Sequence, residues 1–360
     1  MKTVERLMPA YLRDLEPYDS PGAEEDKDGK IWVNANEYPT ATVYEERFDT
    51  LNRYPEIQPK LFCRRYARYA GLEPEEVLVT RGADEGIELL IRTFCDPQTD
   101  TVLYPAPTYS MYRISSRTCG VRAEAVPSQD GWHVDIEALC DRLKDGKEGK
   151  GPAVKLVFFC QPNNPTGELF SEPTIRRLVE CAGEDTLVAI DEAYIEFTPE
   201  STMVSLMKDY ANVVIIRTLS KAFALAGLRC GLLLARREII AALRKVIAPY
   251  PVPAPVGQIA AQALSDEGLA LMRGRVETIN QNRAYFVRRL QALGLSVYPS
   301  VTNFVLIALD EAPSVYRRLW QAGVAARDPG DGKTLRISIG TRAECEAIAD
   351  QLQRIRGESL

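Results

Sequence analysis

Short apolar runs alternate with helical patterns through the middle of the chain. The runs at 77–80, 101–104, 121–126, 154–160, 187–190, 213–217 and 231–235 are mostly rich in Val and Leu and lack a clean polar alternation. That is the pattern of strands buried on both faces, as in a parallel sheet covered by helices. After the first run, Ile87, Leu90, Ile91 and Phe94 recur at the i, i+3, i+4, i+7 spacing of one helical face. The alternation predicts an α/β domain around a largely parallel sheet.

The flanking segments read differently. Residues 141–152 are charged and glycine-rich, which predicts an exposed loop before a strand. Pro249, Pro251, Pro253 and Pro255 alternate with other residues, so the chain is expected to be extended there. A helical pattern then runs to about Leu293. The remainder reads strand (296–309), helix (315–322), strand (335–339), a small α+β unit. No internal repeat or low-complexity tract interrupts it.

Composition narrows the class. With 360 residues, 46% hydrophobic and 26% charged, the chain has room for a large domain and a lesser one, and it is not disordered. A net charge of −6 without a long basic run argues against nucleic-acid binding. No apolar run approaches the roughly 18 residues of a membrane span. The first residues mix Glu5, Arg6, Arg13 and Asp14 among apolar ones, unlike a secretory signal, so the cytoplasm is the expected location. His133 is the only histidine, which excludes a histidine-rich metal site, and its setting after Gly131-Trp132 reads as surface. Eight cysteines form no C-x-x-C pair; buried reduced thiols without a disulfide are expected.

Candidate chemistry follows the strands, since functional residues of an open α/β sheet gather past its carboxyl ends. Asp191 follows one run and Ser220-Lys221 another. Asn163-Asn164-Pro165-Thr166-Gly167 follows a third, and Arg81-Gly82-Ala83-Asp84 opens the helix after 77–80. Each alone is ordinary: a helix cap, a surface lysine, a turn, a strand-to-helix junction. Together they offer an amine nucleophile, a carboxylate for a cationic ring nitrogen, and a helix N-terminus with Ser220 and Arg229 for a phosphate. That set matches pyridoxal phosphate.

Asn163–Gly167, Asp191-Glu192-Ala193-Tyr194 and the run from Ser220-Lys221 to Arg229 together resemble the class I/II, fold-type I aminotransferases. More narrowly, Asn34-Ala35-Asn36-Glu37-Tyr38-Pro39, Asn52-Arg53-Tyr54-Pro55 and Arg81–Glu85 resemble the histidinol-phosphate aminotransferase family. The resemblance runs from about Leu15 to about Gly340. It implies a large three-layer α/β/α domain with a mostly parallel seven-stranded sheet (45–265), a smaller α+β domain (266–360), and an N-terminal arm (1–44) packing with the latter.

By the same resemblance, Lys221 attaches pyridoxal 5'-phosphate covalently and Asp191 faces its ring nitrogen. Asn164 and Tyr194 contact the ring oxygen, and Tyr109 stacks on the ring. Ala83, Asp84, Ser220 and Arg229 hold the phosphate. Tyr54 reaches the partner's cofactor across a homodimer with shared sites. Arg336, Arg327, Tyr18 and Asn36 contact substrate. The implied reaction exchanges an amino group between histidinol phosphate and 2-oxoglutarate, giving imidazole acetol phosphate and glutamate. An aromatic aminotransferase or a phosphoamino-acid decarboxylase would share every cofactor residue. A non-catalytic cofactor-binding regulator would usually carry an appended DNA-binding module, for which the resemblance leaves little room.

Overall fold

The computed structural model describes residues 8–15, 30–45, 51–128 and 132–357. After β1 (Ile31–Trp32) and α1 (Lys60–Ala70), strands and helices alternate: β2 (Val77–Thr80), α2 (Gly82–Phe94), β3 (Thr101–Ala106), α3 (Met111–Thr118), β4 (Arg122–Pro127), α4 (Ile136–Lys147), β5 (Val154–Cys160), α5 (Glu172–Ala182) and β6 (Leu187–Asp191). The short α6 (Leu206–Asp209) leads to β7 (Val213–Thr218), β8 (Gly231–Ala235) and α7 (Arg237–Leu243). Then come α8 (Ala254–Ala263), α9 (Asp266–Ala292), β9 (Ser296–Val297), β10 (Phe304–Ala308), α10 (Ala312–Gln321), β11 (Val324–Ala325), β12 (Thr334–Ser338) and α11 (Arg342–Gly357).

Strands β2 to β8 form one seven-stranded sheet in the order β2-β8-β7-β6-β5-β3-β4. Only β8 runs against its neighbours. Alternate residues feed two separate cores. Val157, Phe159, Val188, Ile190 and Ile215 pack with Phe62, Leu139 and Leu178 on one side. Leu156, Phe158, Ala189, Val214 and Ile216 pack with Ile87, Leu90 and Tyr112 on the other. Burial of both faces is why these runs carry no polar alternation, and it makes three layers.

β12, β10 and β9 form a second, antiparallel sheet, and β1 pairs in parallel with β11. The segment after β1 stays with this part of the chain: Ser338 N–H donates to Val33 O (2.8 Å) and Asn303 Nδ2 to Asn36 O (2.9 Å).

Several sequence expectations change. Residues 141–147 are helix, because Ile136, Leu139, Cys140 and Leu143 continue one apolar face; the loop begins only near Gly149. Pro255 lies in the first turn of α8, where its missing N–H costs nothing, so the extended stretch ends at Pro253. The helical pattern toward Leu293 breaks where Ser265 caps α9 by accepting from Gly268 N–H (3.1 Å). Residues 296–309 are two strands with a turn. α11, unforeseen, buries Cys345, Ile348, Ala349, Leu352 and Ile355. Cys140 and Cys181 form a disulfide between α4 and α5, contrary to the expectation of thiols throughout. Packing of the two helices brings their Cα atoms to 5.3 Å across 41 positions of sequence, which no local spacing reveals.

Beneath the sheet's carboxyl edge lies a buried charge cluster. Arg217 Nε donates to Glu192 Oε2 (2.7 Å), its Nη1 to Glu196 Oε1 (3.2 Å) and its Nη2 to Thr202 Oγ1 (3.0 Å). Arg217→Met leaves two carboxylates in the core without their cation. The expected loss is about 3–5 kcal/mol, read from the denaturant midpoint at constant m-value. Unchanged stability would show the cluster to be energetically neutral.

Candidate active site

The carboxyl ends of β5, β6 and β7 and the N-terminus of α2 open onto one cavity of about 290 Å³. Its walls include Ala83, Asp84, Tyr109, Asn164, Asp191, Tyr194, Ser220, Lys221 and Arg229. A second cavity of about 470 Å³ shares Tyr109, Asn164, Tyr194 and Lys221 with the first and adds Asn36, Arg113, Arg327 and Arg336. The first is mixed in charge. The second is lined by four cations and, among the described residues, no carboxylate.

Asp191 ends β6 and is 2% exposed. Its Oδ2 accepts from the Tyr112 hydroxyl (2.7 Å) and its Oδ1 from Ala193 N–H (3.1 Å). Burial pushes its carboxyl up to about 6; those two hydrogen bonds oppose the shift, and Asp84 and Glu192 add to it. Among the described residues no cation pairs with Asp191. Tyr112 was not anticipated, although it lies one helical turn past Tyr109.

Lys221 is half-buried, and its Nζ donates to Ala35 O (2.9 Å). Loss of water pushes its ammonium down to about 8, with Arg336 and Arg229 adding like-charge repulsion against the pull of Glu37 and Asp84. A neutral amine is therefore accessible near neutral pH, as a nucleophile requires.

The phosphate-type corner depends on close backbone approach. A Cβ on Gly231 would lie 2.3 Å from the Gly82 carbonyl carbon, and one on Gly82, at φ +79°, would lie 2.6 Å from Arg229 Nη2. Arg229 itself takes a left-handed backbone (φ 52°), which aims its guanidinium at the start of α2. There its Nη2 meets Asp84 Oδ2 at 2.9 Å, and Asp84 Oδ1 accepts from the Tyr109 hydroxyl at 2.9 Å. Ser220, buried, receives a hydrogen bond from Thr218 (2.9 Å).

On the second cavity, Arg336 Nη1 donates to Asn164 Oδ1 and Nη2 to Asn34 O, both at 2.6 Å. Arg327 and Arg336 exchange both backbone hydrogen bonds (3.0 and 2.9 Å), which sets the two arginines side by side.

Comparison with known proteins follows this geometry closely. The model of the family "Aminotransferase class I and II" matches residues 28–352. The histidinol-phosphate aminotransferase of Serratia proteamaculans is 46% identical, covering 99% of this chain and 97% of that protein. That of Yersinia pseudotuberculosis is 48% identical over 98% of this chain and 91% of its own length. The chain belongs to the class I and II aminotransferases. The crystal structure of the Sinorhizobium meliloti histidinol-phosphate aminotransferase with pyridoxal-5'-phosphate superposes with a TM-score of 0.85 at 23% identity, covering 98% of each chain, and shows the shared fold-type I architecture.

Class I and II aminotransferases are pyridoxal-phosphate enzymes, and the first cavity suits that cofactor. It joins an amine of lowered proton affinity, a buried carboxylate with no cation paired to it among the described residues, and a glycine-walled helix N-terminus beside Arg229 and Ser220. These complement an aldehyde, a ring cation and a phosphate respectively.

One expected site residue of this aminotransferase, Tyr54, lines neither cavity. Tyr54 is 81% exposed and stacks on Tyr250, ring centroids 4.5 Å apart. Tyr18 lies outside the described residues. His133 is exposed and bonded to Glu168.

The Lys221 environment predicts how the apoprotein captures cofactor. Covalent capture should speed up as pH rises, half-maximal near 8, because only the neutral amine attacks. Stopped-flow absorbance across pH 6–10 reads this, and borohydride reduction should leave the label on Lys221. A label on Lys208 or Lys245 would overturn the assignment.

Proposed function

We propose that this aminotransferase exchanges the amino group of histidinol phosphate with 2-oxoglutarate, giving imidazole acetol phosphate and glutamate in histidine biosynthesis. The observation that carries the reading is the second cavity: Lys221, Arg336, Arg327 and Arg113 around one space, with no carboxylate among the described lining residues, suit substrates with anionic ends. Relatives bearing that activity's name, 46–48% identical along nearly the whole chain, support it.

Pyridoxal 5'-phosphate, when bound, supplies an electrophilic carbonyl and an electron-accepting ring. Lys221 would hold it covalently. Asp191 would receive its ring N–H, using the lone pairs that Tyr112 and Ala193 leave open. Tyr194 and Asn164 would face its ring oxygen and Tyr109 its ring face. Ser220, Arg229 and the N–H groups of Ala83 and Asp84 would hold its phosphate.

With substrate present, Arg336 orients a carboxylate of glutamate in one half-reaction. With Arg327 beside it, the same guanidinium takes the phosphate of histidinol phosphate in the other. Tyr18 and Asn36 complete that contact in the sequence reading. Lys221 Nζ would take the proton from substrate Cα and pass it to the cofactor's carbonyl-derived carbon, with the reverse transfer in the other half-reaction, a shuttle that a proton affinity near pH 8 suits.

We further propose the division at 44/45 and 265/266 into arm, large and small domains, a cytoplasmic location, and a homodimer with shared sites. In a reducing cytoplasm Cys140 and Cys181 would stand as thiols. Exposed Tyr54 and Tyr250 support the dimer: Leu51, Ile57 and Leu61 nearby in sequence to Tyr54 are also exposed, a surface that suits burial against a second copy.

Steady-state rates with 2-oxoglutarate as acceptor should favour histidinol phosphate over phenylalanine and tyrosine by at least tenfold in kcat/KM. Preference for either amino acid would favour an aromatic aminotransferase. Mixing inactive Lys221→Ala with a crippled Tyr54 variant should restore activity once subunits exchange. Persistent inactivity with exchange confirmed would place Tyr54 and Lys221 of one chain in the same site.

A further inference from the structure

Three consecutive residues each hold one functional side chain. Asn34 O accepts from Arg336 Nη2 (2.6 Å), Ala35 O from Lys221 Nζ (2.9 Å), and Asn36 Nδ2 donates to the Tyr194 hydroxyl oxygen (3.0 Å). We propose that Asn36 is a positioning residue for Tyr194 rather than a substrate contact: its amide N–H fixes the direction of the Tyr194 hydroxyl, so that the Tyr194 proton is donated into the cavity. The inference rests on the proposed function only in taking Tyr194 as a cofactor contact.

The hydrogen-bond pattern ties the carboxamide oxygen of Asn36 to Ser338 and its amide nitrogen to Tyr194. Ser338 Oγ accepts from Asn36 N–H (2.9 Å), so its own proton goes to Asn36 Oδ1 (2.9 Å). That pair assigns Oδ1 to the Ser338 side and turns Nδ2 toward Tyr194. The Asn36 carbonyl is taken as well, by Asn303 Nδ2 (2.9 Å). Asn36 is 1% exposed and holds a left-handed backbone, φ 53°, an uncommon conformation that these four bonds over-determine.

The consequence falls on Tyr194. Its oxygen already accepts from Asn36, and among the described residues no acceptor takes its proton. The hydroxyl is buried at the wall between the two cavities. The open direction for the proton is therefore the cavity, where a ring oxygen would receive it. Ser338 anchors Asn36 from β12, the strand that also presents Arg336, two residues earlier. An anion arriving on Arg336 competes with Asn34 O for the same guanidinium, on the residue two before Asn36.

The test reverses one bond. Asn36→Asp keeps the shape and the Ser338 contact but replaces the donor to Tyr194 with an acceptor, drawing the tyrosine proton away from the cavity. In holoenzyme, kcat should fall roughly ten- to hundredfold, the range for a hydrogen bond to a charged group, while KM for histidinol phosphate stays within about twofold. The pH midpoint of the bound cofactor's absorbance should shift in the same direction as in Tyr194→Phe. The cofactor dissociation constant should rise in both variants. In the Tyr194→Phe background, Asn36→Asp should add nothing to any of these readouts.

A further loss in the double variant, or a raised KM at unchanged kcat, would overturn the proposal and make Asn36 a structural or substrate residue. A silent Tyr194→Phe would overturn it together with the assignment of Tyr194, a distinct outcome. Should Asn36→Asp fail to fold, Ser338→Ala, which frees the amide to turn, is measured in its place against the same criterion of non-additivity.

Discussion

Water is excluded from both faces of the central strands of the seven-stranded sheet, and the side chains of the first cavity gather where those strands end, at the carboxyl edge. Asp191, Lys221 and Asn164 each stand at or just past a strand whose last residues are buried. Parallel β5, β6 and β7 bring those ends to one rim by geometry alone, and α2 adds its N-terminus there. Side chains placed mid-strand would have met the hydrophobic layers instead.

The same exclusion of water sets the electrostatics. Burial moves Asp191 up and Lys221 down, each toward its neutral form. The protein counters this unevenly. Asp191 receives two hydrogen bonds and so retains a large share of its anionic character. Lys221 has a single carbonyl, and repulsion from Arg336 and Arg229 pushes it further toward the neutral amine. The carboxylate is thereby kept ready for a cation and the amine for an electrophile, within one cavity. The buried Arg217 cluster behind this rim does different work: the guanidinium ties Glu192, Glu196 and Thr202 together and fixes the turn from Asp191 through Tyr194 to Thr202.

The second cavity shows how a site can take partners of unequal shape. Arg327 and Arg336 are joined backbone to backbone, so both side chains start from one place beside the cavity. Asn164 and the Asn34 carbonyl orient Arg336 from opposite sides of the boundary between the sheet and the N-terminal segment. A ligand drawn to Arg336 therefore engages residues from the large sheet, from the small sheet and from residues 34–36 at once.

Much of this was legible along the chain, because burial on two faces and strand-to-helix transitions are local signals. All seven strands of the main sheet, the helix after 77–80 and the positions of Asp191, Lys221 and Asn164 could be read from apolar runs and the residues that end them. The helix over 141–147 was hidden by its charged outer face, though Leu139, Cys140 and Leu143 carried its period. Other features have no local signal. The Cys140–Cys181 bond joins positions on two helices, and Tyr112 reaches Asp191 from a different element. Asn36 meets Ser338 and Tyr194 only when residues 31–36 lie along β11 and β12. The chain by itself determined which side chains stand at the rim, since period and burial are properties of neighbouring residues. Which of them touch, in which direction each hydrogen bond runs, and where each proton affinity settles were decided by tertiary packing, because those depend on distance and on the exclusion of water between residues far apart in sequence.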